Sequence, residues 1–123
     1  VITGMGIVSS IGNNVEEVKN SLINQKSGIV SAPIYKEMGF RSQIHGEVKL
    51  NLEDCIDKKQ LRFMGAGAAY SVLAMEQAIA DAGLSPDEVS NPKTGLIAGS
   101  GGPSTANLLQ SFDTGNKYSL VFF

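Results

Sequence analysis

Apolar residues recur by threes and fours through Leu61, Met64, Ala68, Val72, Met75, Ile79 and Ala82, the repeat of one helical face. The spacing predicts a helix from Ile56 to Leu84, with roughly 25 helical residues spanning about 37 Å. Asp57 is placed to cap its start, and Gln60 three residues on completes an Asp-x-x-Gln capping box. Gly83 supplies the left-handed residue at the other end, Leu84 its apolar contact, and Pro86 prevents continuation. Gly65 and Gly67 fall inside this helix, where each costs about 1 kcal/mol relative to alanine. With Ala66, Ala68 and Ala69 they leave a smooth surface, so a second backbone is expected to approach closely there.

The rest of the chain is read around that helix. Val1-Ile2-Thr3 reads as the end of a buried strand already under way, and Gly4 to Ser9 turns the chain. The turn invites comparison with a Gly-x-Gly-x-x-Gly dinucleotide loop. Ser9 replaces the third glycine, however, and no strand ending in an acidic residue follows about 20 residues later. Tight turns that let a backbone pass closely explain these glycines better. Asn13 or Asn14 caps a helix running to about Gln25, with Val15, Val18 and Leu22 inward. Residues 33–39 read as irregular. Residues 41–49 alternate as a strand, with Ile44, Gly46 and Val48 on one face and Gln43, His45 and Glu47 on the other. Residues 85–92 form a loop or short helical turn. Thr94 to Gly99 is apolar without alternation, as in a buried parallel strand. A Gly-rich turn, Gly99 to Pro103, leads to a helix starting near Pro103. Strand, helices, strand, turn and helix make an α/β organisation. In such folds ligands sit at the carboxyl ends of strands, which puts the Gly99–Pro103 turn beside any site.

Composition narrows the classes. The 123 residues suit one domain, 42% apolar content can fill a core, and a net charge of −2 gives no global basic field for nucleic acid. A single cysteine excludes a disulfide framework and suits a reducing compartment. No run of 18 apolar residues occurs, because Arg62, Glu76 and Asp81 interrupt the long helix, and no secretory leader is read, because the first residues look like a strand. His45, the single histidine, reads as a half-exposed strand residue rather than a catalyst. Cys55 is flanked by Glu53, Asp54 and Asp57, whose charges disfavour a thiolate, so a Cys55–His45 nucleophile–base pair is not adopted. Lys58, Lys59 and Arg62 crowd the predicted start of the long helix, where the macrodipole already favours anions. Such a placement is either a solvated helix end or a docking point for an anionic partner.

Four ordered stretches carry a specific resemblance. Residues 1–14, Val-Ile-Thr-Gly-Met-Gly-Ile-Val-Ser-Ser-Ile-Gly-Asn-Asn, are similar to the amino-terminal segment of the type I β-ketoacyl-[acyl-carrier-protein] synthases. So are residues 56–64, residues 75–86 (Met-Glu-Gln-Ala-Ile-Ala-Asp-Ala-Gly-Leu-Ser-Pro) and residues 95–102 (Gly-Leu-Ile-Ala-Gly-Ser-Gly-Gly). The resemblance covers residues 1 to about 112 and only the leading quarter to third of that family's chain. It implies that residues 1–123 are an incomplete amino-terminal portion of the synthase N-terminal domain, with 113–123 departing from the family pattern. It implies a thiolase-like fold, of which this is the leading part of the first α/β half, in a homodimer of the bacterial cytoplasm.

The activity implied is decarboxylative Claisen condensation of an acyl-enzyme with malonyl-carrier protein, elongating fatty acids without a metal or other cofactor. Acyl carrier protein is the implied partner, with no role for nucleic acid or membrane. The family's nucleophile is a cysteine in a Ser-Ala-Cys-Ala-type turn, assisted by two histidines and a nearby lysine. None of these motifs occurs here, and Cys55 and His45 match none of them. Lys59 and Arg62 match carrier-docking positions and Arg41 a basic residue nearby. Lys58 joins them by chemistry, about 100° round the helix from Lys59, with the helix dipole adding positive potential. Gly102 matches a position beside the acyl pocket. The rival readings are another thiolase-like acyltransferase, a non-catalytic module that docks a carrier protein, and a nucleotide-binding α/β domain.

Overall fold

The computed structural model describes residues 1–118, in the order α1 (Val15–Ile23), β1 (Ile29–Ser31), α2 (Pro33–Glu37), β2 (Ile44–Gly46), α3 (Leu52–Cys55), α4 (Lys58–Leu61), α5 (Ala66–Ala82), α6 (Pro86–Val89) and α7 (Thr105–Tyr118). The apolar stretch Leu120 to Phe123 lies outside the described residues.

The long helix predicted over 56–84 is two helices. The chain leaves α4 after Leu61, turns through Arg62 to Met64, and restarts with Gly65 as an extended N-cap at φ −75°, ψ 161°. The physical reason lies in the glycines: a residue that weakens a helix interior is well tolerated at a cap, so the break falls on Gly65. Asp57 caps α4 as expected, its Oδ1 accepting from the Lys59 N–H at 2.8 Å. Its capping atom serves that amide, and no reciprocal Gln60 bond is formed among the described residues. The far end matches expectation: Gly83 takes φ 66°, and the Leu84 N–H donates to the Ile79 carbonyl at 3.2 Å. The buried face is rotated from the predicted one. Ala69 is fully buried and Val72, Leu73 and Ile79 are half-buried, whereas Ala68 and Met75 are exposed.

A backbone does approach α5 closely, but over its second half. Gly4 and Gly6 lie against it, and a Cβ at Gly4 would strike the Ala78 carbonyl and come within 2.7 Å of the Ala82 nitrogen. One at Gly6 would strike the Ala74 carbonyl and sit 2.8 Å from Gln77 Cβ. At the start of the helix Gly65 meets only the Ser104 side chain and Asn107, and Gly67 faces open space.

α1 is capped by Asn14, whose Oδ1 accepts from the Glu17 N–H at 2.9 Å. α2 forms where an irregular segment was expected, with Pro33 at its first turn and Ala32 buried beneath it. Among the described residues the sheet has two antiparallel strands, with Val30 opposite His45. β2 is shorter than predicted and reversed in facing: His45 is half-buried while Ile44 and Gly46 are exposed. The strands expected at 1–3 and 94–99 are unpaired, and the parallel sheet expected for an α/β layer is absent from the described residues. A strand of either kind needs a neighbour to take its backbone N–H and C=O groups. The result is a mainly helical chain with few strands and a sparse interior of Ala32, Ile56 and Ala69.

The 85–92 stretch contains α6, held by a Ser-x-x-Glu capping box. The Ser85 N–H and Oγ–H both donate to Glu88 Oε2 at 2.8 Å, and the Glu88 N–H donates back to Ser85 Oγ. The Ser85 backbone bond, then its hydroxyl, hold the Glu88 carboxyl below its ordinary 4.5. A depressed carboxylate stabilises the fold above the unfolded-state value and loses that contribution as pH falls through the folded one. Exchange of the α6 amides is therefore expected to accelerate, beyond its intrinsic pH dependence, on acidification below 4.5. Ser85→Ala should weaken that response without abolishing it, because it removes the hydroxyl and keeps the Ser85 N–H bond, and an unchanged profile would mean that the hydroxyl contributes nothing.

Candidate functional site

Two regions stand out: the cationic turn at α4 and an apolar groove beside α5. The turn is built by short-range caps. Asn51 Oδ1 accepts from the Glu53 N–H at 3.3 Å to start α3, Ile56 is buried at the bend, and Asp57 starts α4. This brings Lys58, Lys59 and Arg62 onto one exposed turn.

Their surroundings differ from expectation in two ways. Lys58 Nζ is 3.2 Å from Glu53 Oε2, so it is already paired, although weakly because both groups are exposed. Lys59 and Arg62 have no carboxylate partner among the described residues. The Arg62 guanidinium lies 4.4 Å above the Phe63 ring, a cation–π contact that steers it along the turn. The second difference concerns the dipole. The cations sit on a four-residue helix separated from α5 by a turn, so no long macrodipole stands behind them. The field depends on the sum over aligned peptides, and a single turn contributes little of it. With Glu53, Asp54 and Asp57 on the same stretch, the surface is mixed in sign, and its unpaired positive part is Lys59 and Arg62.

Arg41 is exposed in the loop between α2 and β2, and no hydrogen bond or ion pair joins it to the α4 group among the described residues. Gly102 is exposed in a turn where Ser100 Oγ donates to its carbonyl at 2.8 Å. A Cβ there meets open space, and neither described cavity includes the residue. His45 packs edge-on against Tyr35, with ring centres 5.8 Å apart. Cys55 is exposed at the end of α3. No Cys55–His45 hydrogen bond is present among the described residues.

The groove is the feature that sequence reasoning missed. About 1090 Å³ in volume, it runs between the Gly4–Ile7 segment, the inner face of α1, α5 and the Leu96–Gly99 stretch. Val15, Val18 and Leu22, expected to face a core, line it, and Leu22 is 65% exposed. Leu96 and Ile97 across from them are 74% and 98% exposed. The signal is present in the sequence: inward-facing α1 residues and a non-alternating apolar stretch with no partner assigned to either.

The sequence has clear counterparts among known proteins. The family model of the β-ketoacyl synthase N-terminal domain matches residues 1–122. The chain is 54% identical over 113 residues, 92% of its length, to 3-oxoacyl-[acyl-carrier-protein] synthase 1 of Haemophilus influenzae. It is 56% identical over 105 residues, 85% of its length, to the same enzyme of Escherichia coli K12. To that of Buchnera aphidicola from Schizaphis graminum it is 49% identical over 115 residues, 92% of its length. The matched part is 28%, 26% and 28% of those three proteins, so the chain spans about a quarter of the length of the curated relatives it matches.

Proposed function

The chain belongs to the β-ketoacyl synthase family, and on that premise we propose that it is the leading portion of an acyltransferase that elongates fatty acids by decarboxylative condensation of an acyl-enzyme with malonyl-carrier protein. The observation that carries this reading is 54% identity across 92% of the chain to a 3-oxoacyl-[acyl-carrier-protein] synthase 1. The condensing chemistry belongs to a longer polypeptide, because the family's Ser-Ala-Cys-Ala turn is not among these 123 residues. In the proposed whole enzyme the fold is thiolase-like, the assembly a homodimer and the compartment the bacterial cytoplasm. No helix of the described residues is long and apolar enough to cross a membrane.

Within that reading this portion supplies part of the carrier-protein dock. Acyl carrier protein presents acidic side chains and a phosphopantetheine phosphate, which exposed cations without partners recognise by Coulomb attraction. Lys59 and Arg62 are proposed as the principal contacts, with Arg41 and the paired Lys58 secondary. Gly102 is proposed to border the acyl pocket once the rest of the domain surrounds its turn.

The test is made in the longer polypeptide. Lys59→Glu with Arg62→Glu is expected to raise KM for carrier-linked substrates roughly tenfold at low salt, and less at high salt where the pair is screened. Turnover of a small thioester lacking the carrier should hardly change. Carrier-dependent kinetics that do not move at low ionic strength would rule the dock out, and loss on both substrates would point to folding instead.

A further inference from the structure

Gln77 is a half-buried amide on the otherwise largely apolar face of α5, and both ends of its side chain are used on backbone. Its Oε1 accepts from the Ile7 N–H at 3.1 Å, and its Nε2 donates to the Asn13 carbonyl at 2.7 Å. One side chain thus spans the two ends of the 7–13 loop. Inside the loop the Ser9 N–H donates to the Gly12 carbonyl at 2.9 Å, and Ser21 Oγ of α1 donates to the Ile11 carbonyl at 2.6 Å. Asn13 carries the connection onward. Its Nδ2 donates to the Lys49 carbonyl at 2.9 Å, its N–H donates to Glu17 Oε2 at 2.8 Å, and the next residue caps α1. One helical turn after Gln77, Asp81 Oδ2 accepts from the Met5 N–H at 2.9 Å. The amides held, at residues 5 and 7, are the alternate N–H groups that one edge of an extended segment presents.

We propose that Gln77 is a clasp: by bridging the Ile7 amide and the Asn13 carbonyl it closes the 7–13 loop on α5 and so positions α1, the opposite wall of the apolar groove. Asp81 adds a separate rung that holds the segment before the loop. A glutamine suits the post because it offers one acceptor and a donor at the same side-chain tip. Leucine offers neither. An ionised glutamate keeps the acceptor but turns a carboxylate oxygen on the Asn13 carbonyl, while a protonated glutamate supplies both functions again.

That chemistry sets the test, hydrogen exchange in the longer polypeptide of the proposed function, because the 123-residue chain by itself is expected to associate through the groove that these residues wall. Gln77→Leu is expected to accelerate exchange at Ile7 roughly tenfold or more and to open residues 7–13 to proteases. The Met5 amide and the α5 ladder should keep their protection. Gln77→Glu should match the leucine variant at neutral pH and regain protection at Ile7 as its carboxyl protonates, near about pH 4. Glu17, Glu76, Asp81 and Lys49 are the neighbouring charged groups. The native and leucine chains carry all four and serve as controls through the same pH series. Unchanged exchange at Ile7 in Gln77→Leu overturns the clasp. So does a pH-independent Gln77→Glu, or a loss of protection spread along all of α5 in both variants at every pH, which would make Gln77 a general packing residue.

Discussion

Gly6→Ala is expected to detach the N-terminal segment from α5, whereas the same change at Gly67 should be neutral or mildly stabilising. At Gly6 the new methyl would strike the Ala74 carbonyl and lie 2.8 Å from its carbon and from Gln77 Cβ. Two of those three atoms are helix backbone and cannot swing away, so the segment must move. Overpacking of this kind costs typically 1–3 kcal/mol, and contact with backbone puts Gly6 at the upper end. The displaced segment also gives up the bonds from Met5 and Ile7 to Asp81 and Gln77. At Gly67 nothing lies within 4 Å of the place a methyl would take and the backbone is already helical, so alanine gains up to about 1 kcal/mol of helix propensity. Protease cleavage within residues 4–13 and the urea concentration that halves the helical circular dichroism should move in opposite directions for the two variants. Equal behaviour would mean that the segment does not pack on α5 in solution.

The chain by itself is expected to self-associate or precipitate rather than behave as a monodisperse monomer. A folded monomer of 13.0 kDa exposes about 6,300 Å² of surface. This chain exposes 10164 Å², roughly 1.6 times as much, with three buried apolar residues as the core among the described residues. Part of the excess is the apolar lining of the groove, where Leu22, Leu96 and Ile97 face each other across about 1090 Å³, and part is spread along the chain, at Phe40, Phe63 and Phe112 among others. Apolar side chains left uncovered on this scale, together with the unpaired extended stretch at 94–99, favour association of chains. Sedimentation velocity should show species growing with concentration, and Leu96→Lys with Ile97→Lys should shift the distribution toward monomer. A concentration-independent monomer with a sharp thermal transition would contradict the expectation.

Both results depend on where local signals end and long-range ones begin. The caps are legible because their partners lie within five residues: Asn14 on α1, Asp57 on α4, and Gly83 with Leu84 at the end of α5. Each is a backbone group satisfied by a neighbour that the sequence prints beside it. The Ser85–Glu88 box belongs to the same class, although the loop-like composition around it hides it. The family is legible too, because four ordered stretches carry it independently of how they pack.

The apolar run at 94–99 shows the limit of such signals: its sequence predicts its surroundings and mispredicts its state. Hydrophobicity records that a segment is meant to be covered, while a strand exists only when another strand takes its hydrogen bonds. The continuous helix fails for a related reason. The threes-and-fours repeat runs unbroken through Gly65, yet a periodic pattern does not distinguish a glycine inside a helix from one that starts a new helix. That break moves the cations off the long dipole and leaves Lys58 paired with Glu53. Sequence by itself determined the caps, the helix end at Gly83, the family and the residue types available for docking. The sequence also marks the glycines of the 4–9 turn as a place where a backbone passes closely, and only the tertiary structure decided that this backbone is that of α5 and that Gln77 and Asp81 point at the amides of residues 5 and 7. Those contacts join positions 70 and 76 residues apart, and no periodicity within one element encodes which distant backbone it will meet.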